Sequence, residues 1–295
     1  MGVFAEQRDV DARASARPVL LRRIWLCADD YGIAPGVNTA IRDLIMRGRL
    51  NATSVMVLAP SFHRSDAASL AILNSGKAKA AIGLHLTLTA PFEPMSEGYA
   101  PLRDGQFLTL PATLRSAVLR RLKPDRIAGE TEMQIKAFVD AFGRPPDFID
   151  GHQHVHLFPQ VRDAVLAVAK NLAPHAWLRQ CGRARLFSAG LRDRKALVLD
   201  ALSLSFRRRA QRLGLRTNPA FAGTYDFTDD ADFAALFPTF LDGLPDGGVV
   251  MCHPGTVDAE LERLDPLTTL REYEYAFLGS DDFPELLAEH SVTLA

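Results

Sequence analysis

Cysteine is scarce in this chain. Of 295 residues only 3 are cysteine, Cys27, Cys181 and Cys252, far apart and in no Cys-x-x-Cys pair. That argues against a disulfide framework and a zinc ribbon, and it suits a reducing compartment, so the cytoplasm is the expected location. An excess of one charge is lacking too. The formal net charge of -1 gives no general attraction to nucleic acid, and no nucleic-acid partner is expected. No run of 18 apolar residues occurs, so no membrane span is expected. No G-x-G-x-x-G follows the first strand pattern, which speaks against a dinucleotide fold. No G-x-S-x-G elbow surrounds Ser54 or Ser61, which speaks against a serine hydrolase. No repeat recurs at a fixed period. The opening "MGVFAEQRDVDARASARPVLLRRIWL" has no apolar core of signal-peptide length. Residues 1–18 are expected to form a flexible extension, and 19–295 a single domain.

What is present is alternation. Short β-rich runs at 23–30, 52–60, 80–89, 146–156, 176–181, 219–227 and 247–255 are separated by helical patterns such as "GVNTAIRDLIMRG" and "FPQVRDAVLAVAKNLA". Helices close the chain, before a terminal "SVTLA". Strands followed by helices seven or eight times predict a parallel sheet with crossover helices. The expectation is an α/β fold, an irregular TIM-like (β/α) barrel of seven or eight strands. Residues 90–111, with four prolines, read as a long loop at the rim of an active site.

Histidine is where the sequence concentrates chemistry. There are 8, and three fall within "DFIDGHQHVHLFP" at 152, 154 and 156. If that segment stays extended, Asp150, His152, His154 and His156 share one side. Asp29-Asp30 ends strand one, His85 lies in strand three, and His253 follows the seventh. In a barrel all strand C-termini meet on one face, where active sites are built. Each feature alone has a plainer reading: a turn for Asp-Asp, a hydrogen-bonded core histidine for His85, a strand end for His253. Together they suggest a divalent metal held by nitrogen and oxygen. Cys252 and His253 face opposite sides of a strand and do not form a thiol–imidazole pair.

"CADDYGIAPGVNTAI", "IGLHLTL", "DFIDGHQHVHLFPQV" and "VMCHPG", in this order, closely resemble the YdjC-type carbohydrate deacetylases. The resemblance runs from about residue 23 to 255. It implies an irregular (β/α) barrel that removes acetyl groups from N-acetylated sugars with a divalent metal. It also implies roles: Asp29 as catalytic base, His253 as general acid, and Asp30, His85 and His152 as metal ligands. Asp150, His154, His156 and Arg179 are expected to support these groups or to line the sugar pocket. Family members carry a histidine where this chain has Gln153. The ion is one divalent metal, zinc or magnesium, with manganese and cobalt also compatible. The substrate is an N-acetylglucosamine-containing sugar of the chitooligosaccharide type. Alternatives are a lipid-linked, hopanoid-type N-acetylglucosamine, or another single-metal amide hydrolysis on the same barrel. A homodimer is implied by the family.

Two rivals are a two-metal phosphoesterase and a binding protein with a structural metal. The first wants more ligands than are apparent, and the second a site closed by four protein ligands. Residues 179–216 hold eleven Lys or Arg against Asp193 and Asp200. The helix at 194–216 is expected either to be a barrel helix with a solvated basic end or to touch anionic lipid peripherally.

Overall fold

Apolar runs too short to be helices become the strands of one parallel sheet. The structure, a computed structural model, describes residues 21–74, 79–184, 194–228 and 230–294. The extension expected at 1–18 lies outside the described residues. In chain order the strands are β1 (Arg22–Tyr31), β2 (Ala52–Val55), β3 (Ala81–Leu86), a small hairpin of β4 (Leu102–Arg103) and β5 (Gln106–Phe107), β6 (Phe148–Gly151), β7 (Trp177–Leu178), β8 (Phe221–Ala222), β9 (Val249–Cys252) and β10 (Val292–Leu294). The helices are α1 (Pro35–Met46), α2 (Arg64–Asn74), α3 (Leu110–Val118), α4 (Pro124–Phe142), α5 (Val161–Leu172), α6 (Arg194–Arg212), α7 (Phe233–Leu241), α8 (Ala259–Leu264), α9 (Thr269–Gly279) and α10 (Asp282–Glu289).

Seven strands pair in the order β7-β6-β3-β2-β1-β9-β8, and β10 pairs with the first residues of β1. Every pair in this curled sheet is parallel. The residues of β2, β6 and β9 are all buried, as strands covered on both faces require. The two ends of the sheet meet without a regular ladder. Leu178 N–H donates to the Arg216 carbonyl at 2.9 Å, and Phe221 N–H donates to the Gly182 carbonyl at 3.0 Å. Between them the Asn218 amide accepts from Gln180 N–H at 2.8 Å and donates to its carbonyl at 3.0 Å. This seam closes the irregular barrel.

Several strands are shorter than the sequence pattern suggests. The residues expected to extend β2, β3, β7 and β8 leave the sheet early and become loops at its C-terminal face. The long loop at 90–111 is not structureless, since it carries the β4–β5 hairpin and runs into α3. Helix boundaries follow local chemistry. A proline opens α1, where its missing N–H costs nothing. Gly143 ends α4 in the left-handed conformation, at φ 67°, which favours glycine.

Helix α6 packs one face against the rest of the barrel. Ser203, Phe206 and Ala210 are buried, whereas Arg208, Arg209 and Arg212 are exposed, and Arg209 Nε lies 3.3 Å from Asp163 Oδ1 of α5. Among the described residues no helix is long and apolar enough to cross a membrane.

Gly83 shows how tightly the strands beneath the site are fitted. A side chain there would collide with the ring of Phe148 on the neighbouring β6. That ring is fully buried and stacks on Trp177 of β7, centroids 4.4 Å apart. Gly83→Ala is expected to destabilise the fold by about 1–3 kcal/mol through overpacking. Urea unfolding checks this, and an unchanged midpoint would contradict the packing described.

Candidate metal centre

Two consecutive aspartates at a strand end normally face opposite sides. Here both reach the same site, because the backbone changes hand between them. Asp30 adopts φ 68°, and the pairing of β1 with β2 shifts register between Ala28 and Tyr31. A left-handed non-glycine residue is uncommon and strained. The strain sits at the centre of the site.

Around Asp30 the strand ends converge. Its Oδ1 lies 3.2 Å from His85 Nε2 and 3.0 Å from His152 Nδ1. Asp30, His85 and His152 each place one ligand-type atom within 4.8 Å of the others. All three are buried: Asp30 and His85 are each 2 % exposed and His152 6 %. Phe92, from the rim loop, meets the His152 ring edge-on, centroids 5.9 Å apart. The donor set of one carboxylate and two imidazoles suits a divalent ion such as zinc, and leaves positions open for other ligands. His85 Nδ1 lies 2.7 Å from Asp150 Oδ1, the outer carboxylate partner that metal-binding histidines usually have. The residues present therefore fit a metal.

The electrostatics explain how so many charges are buried together. For Asp29, burial opposes the ionised form, but Arg179 and then His85 outweigh it and hold its pKa well below the usual carboxylate range. For Asp30, burial is likewise opposed by Arg271 and His152, with the same downward result. His85 is disfavoured as a cation by burial, yet Asp150 and Asp29 push its pKa up to about 10.

A second group, Cys27, Asp29 and Asp150, has comparable spacing, but Arg179 already fills it. Its Nη2 lies 2.8 Å from Cys27 Sγ, 2.7 Å from Asp29 Oδ1 and 2.6 Å from Asp150 Oδ2. Its Nη1 donates to Asp29 Oδ2 at 2.6 Å. The guanidinium is the cation of this group. Arg179 is fully buried, and its guanidinium is engaged by side chains of the protein.

The histidine triplet corrects the expectation of an extended segment. The strand ends at Gly151, and His152–Leu157 coil tightly, with Gln153 at φ 54° and His154 at φ 57°. The three imidazoles therefore diverge instead of sharing one side. His152 faces Asp30. His154 lies 3.5 Å from Cys181 Sγ and edge-on to Phe221. His156 is fully buried, 2.7 Å from the Arg179 carbonyl and edge-on to Phe206. Gln153 is exposed.

His253 stands at the end of β9. It is close enough to Asp29 to help lower that residue's pKa. Its backbone N–H donates to Glu274, whose other oxygen accepts from Tyr225. Phe227 packs edge-on to its ring at 5.6 Å, and its Nδ1 has no hydrogen-bond partner among the described residues.

Three contributors escaped the sequence reading, Arg271, Glu274 and Tyr225, and Ser54 was weighed there only as a nucleophile. Ser54 Oγ lies 3.2 Å from Asp29 Oδ1 and 3.0 Å from His85 Nδ1. One signal was available for two of them. The buried stripe of α9 is Leu270, Arg271, Glu274 and Leu278, and an arginine and a glutamate at helical spacing within an apolar stripe need buried partners.

Residues 23–289 match the family described as YdjC-like protein. A chitooligosaccharide deacetylase of Citrobacter koseri is 30% identical over 241 residues, covering 80% of this chain and 83% of that protein. One from Salmonella heidelberg is 30% identical over 237 residues, covering 78% and 81%. A crystal structure from Enterococcus faecalis V583, of a protein named for cellobiose-phosphate cleavage, superposes with a TM-score of 0.70. It is 24% identical and covers 93% of this chain and 97% of that one.

His156 predicts the acid limb of stability. Burial pushes its pKa down to about 3, and burial with Arg179 does the same for His154. Below the usual histidine pKa the unfolded chain binds more protons, so stability falls as pH drops from about 6.5 toward 3. Each histidine contributes a slope of up to about 1.4 kcal/mol per pH unit within that window. His156→Gln is expected to unfold with a shallower pH dependence between pH 7 and 5. Urea midpoints measured across that range, if parallel for the two proteins, would contradict the buried neutral imidazole.

Proposed function

The chain belongs to the YdjC-like family, and we propose from this that it is a metal-dependent carbohydrate N-deacetylase. The reaction is hydrolysis of the acetamide of an N-acetylglucosamine-containing sugar to acetate and the free amine. One observation carries the reading: a three-donor group, Asp30, His85 and His152, lies beside a second ionised carboxylate, Asp29, that an arginine holds in place. The names of the curated relatives support a chitooligosaccharide-type substrate.

Asp30, His85 and His152 would hold the ion, with zinc favoured by the two imidazoles and magnesium the other candidate. A bound ion supplies Lewis acidity, polarising the acetyl carbonyl and making a water more acidic. Asp29 accepts the proton of the attacking water. Arg179 and Ser54 fix its orientation while Oδ2, with a single hydrogen bond from Arg179, keeps a lone pair for that proton. His253, anchored through its backbone by Glu274 and flanked by Phe227, gives a proton to the departing sugar nitrogen. Asp150 orients His85, and His154 and His156 pack the wall behind Arg179.

The rivals fare worse. Arg179 occupies the only other donor group found among the described residues, which argues for one metal and against a two-metal phosphoesterase. Three protein ligands do not close a structural zinc site. The three cysteines are free and buried, and a cytoplasmic location accords with that.

Purified protein, stripped of metal and then given zinc, is expected to release acetate from N,N′-diacetylchitobiose only in the second state. Asp29→Asn is expected to lower kcat by roughly 100- to 10,000-fold with little change in zinc affinity. His85→Ala and His152→Ala are expected to lose both. Absence of release by folded, zinc-loaded protein would reject this substrate and bring forward a lipid-linked N-acetylglucosamine. Loss of zinc affinity in Asp29→Asn equal to that in His85→Ala would overturn the division of roles.

A further inference from the structure

Asp30 presents two different oxygens to its surroundings. Oδ1 faces His85 and His152, whereas Oδ2 accepts from Arg271 Nη2 at 2.6 Å. Arg271 is fully buried on the inner face of α9. The same Nη2 also donates to Asp265 Oδ2 at 2.9 Å, and Nε donates to the Leu267 carbonyl at 2.9 Å. Leu267 N–H in turn donates to Asp265 Oδ1 at 2.7 Å. The turn before α9 thus wraps the guanidinium, and a chain of three charges runs from Asp265 through Arg271 to Asp30.

The turn after β9 is fitted to this arrangement. Gly255 N–H donates to the Arg271 carbonyl at 3.1 Å. A side chain at 255 would stand 2.9 Å from Val37 Cγ2 and 3.5 Å from Arg271 Cβ. The close contact is with α1, so a side chain at 255 would press on Val37, while Arg271 stands at ordinary packing distance. The "CHPG" motif therefore contributes more than His253, since the backbone N–H of its last residue bonds the carbonyl of Arg271.

We propose that Arg271 is a positioning residue for the metal ligand Asp30. By occupying Oδ2 it confines the carboxylate to one ligating oxygen, and with Asp265 it sets how much negative charge that oxygen offers. The inference rests on the reading of Asp30, His85 and His152 as the ligand set. Its physical content is simple. A carboxylate with both oxygens free can fill two coordination positions, and a hydrolytic site needs open ones. A guanidinium bond to one oxygen prevents this. It also withdraws charge, and Asp265 returns part of it by sharing the cation. Lysine would serve less well, because a buried ammonium lacks the planar fork and sheds its proton more readily.

Cobalt(II) is a suitable probe, because its visible absorption reports coordination number without any turnover. The full-length chain would be titrated as wild type, Arg271→Met, Arg271→Lys and Asp265→Asn, with metal-free melting curves for each. In Arg271→Met the released Oδ2 is expected to join the ion, giving the weaker band of a higher coordination number and a Co2+ affinity changed by about 10- to 100-fold. Arg271→Lys still covers Oδ2 and is expected to return the band toward that of the wild type. Asp265→Asn leaves Asp30 covered, so the band stays in place. Its Co2+ affinity falls by roughly tenfold, because Arg271 then pairs with Asp30 alone. A wild-type band in folded Arg271→Met overturns the proposal. If that variant does not fold, unchanged Co2+ affinity in Asp265→Asn overturns it instead. No Co2+ band in the wild type would sink the ligand set itself, a failure visible before any substitution is compared.

Discussion

Two carboxylates side by side, both ionised and both out of water, are the constraint on which this structure turns. Removing an isolated carboxylate from water costs several kcal/mol even after relaxation, and Asp29 and Asp30 also repel each other. Each is therefore met by its own buried arginine. Arg179 comes from the residue after β7 and Arg271 from α9, and both are fully buried. Each arginine has a further carboxylate partner, Asp150 or Asp265. The paired charges leave one face of each inner aspartate directed at the histidines or the open site. Elements far apart in sequence are thus held to the end of β1 by electrostatic need as well as by apolar packing.

The fold was readable because its signal is periodic. Buried parallel strands give unbroken apolar runs, helices give stripes, and their alternation leaves few topologies. The strand-end residues Asp29, Asp30, His85, His152 and His253 were readable for a related reason: a parallel barrel gathers the ends of its strands at one face wherever they fall in the chain. Strand length was less legible, because β-branched and apolar residues continue past Val55 and Leu86 after the hydrogen-bonded ladder has stopped.

What stayed hidden depends on backbone conformation or on distant partners. Alternation in "DGHQHVH" suggests an extended segment, and nothing in the residue types announces two successive left-handed conformations at Gln153 and His154. Arg271 was hidden differently. It occupies a helical stripe like any core residue, and its partner Asp30 lies 241 positions away. Periodicity identifies such a residue as buried but does not say what compensates its charge.

The seam between β7 and β8 also bears on the charges of the site. A strand ladder spreads its strength over many equivalent bonds, but this join depends on a few backbone bonds and the single amide of Asn218. The chain that forms one lip of the seam also carries Arg179, the counter-charge of Asp29. The cation that neutralises Asp29 therefore sits on the edge of the barrel that lacks a regular ladder. Closure of the barrel and the charge balance of its innermost acid thus rest on the same stretch of chain.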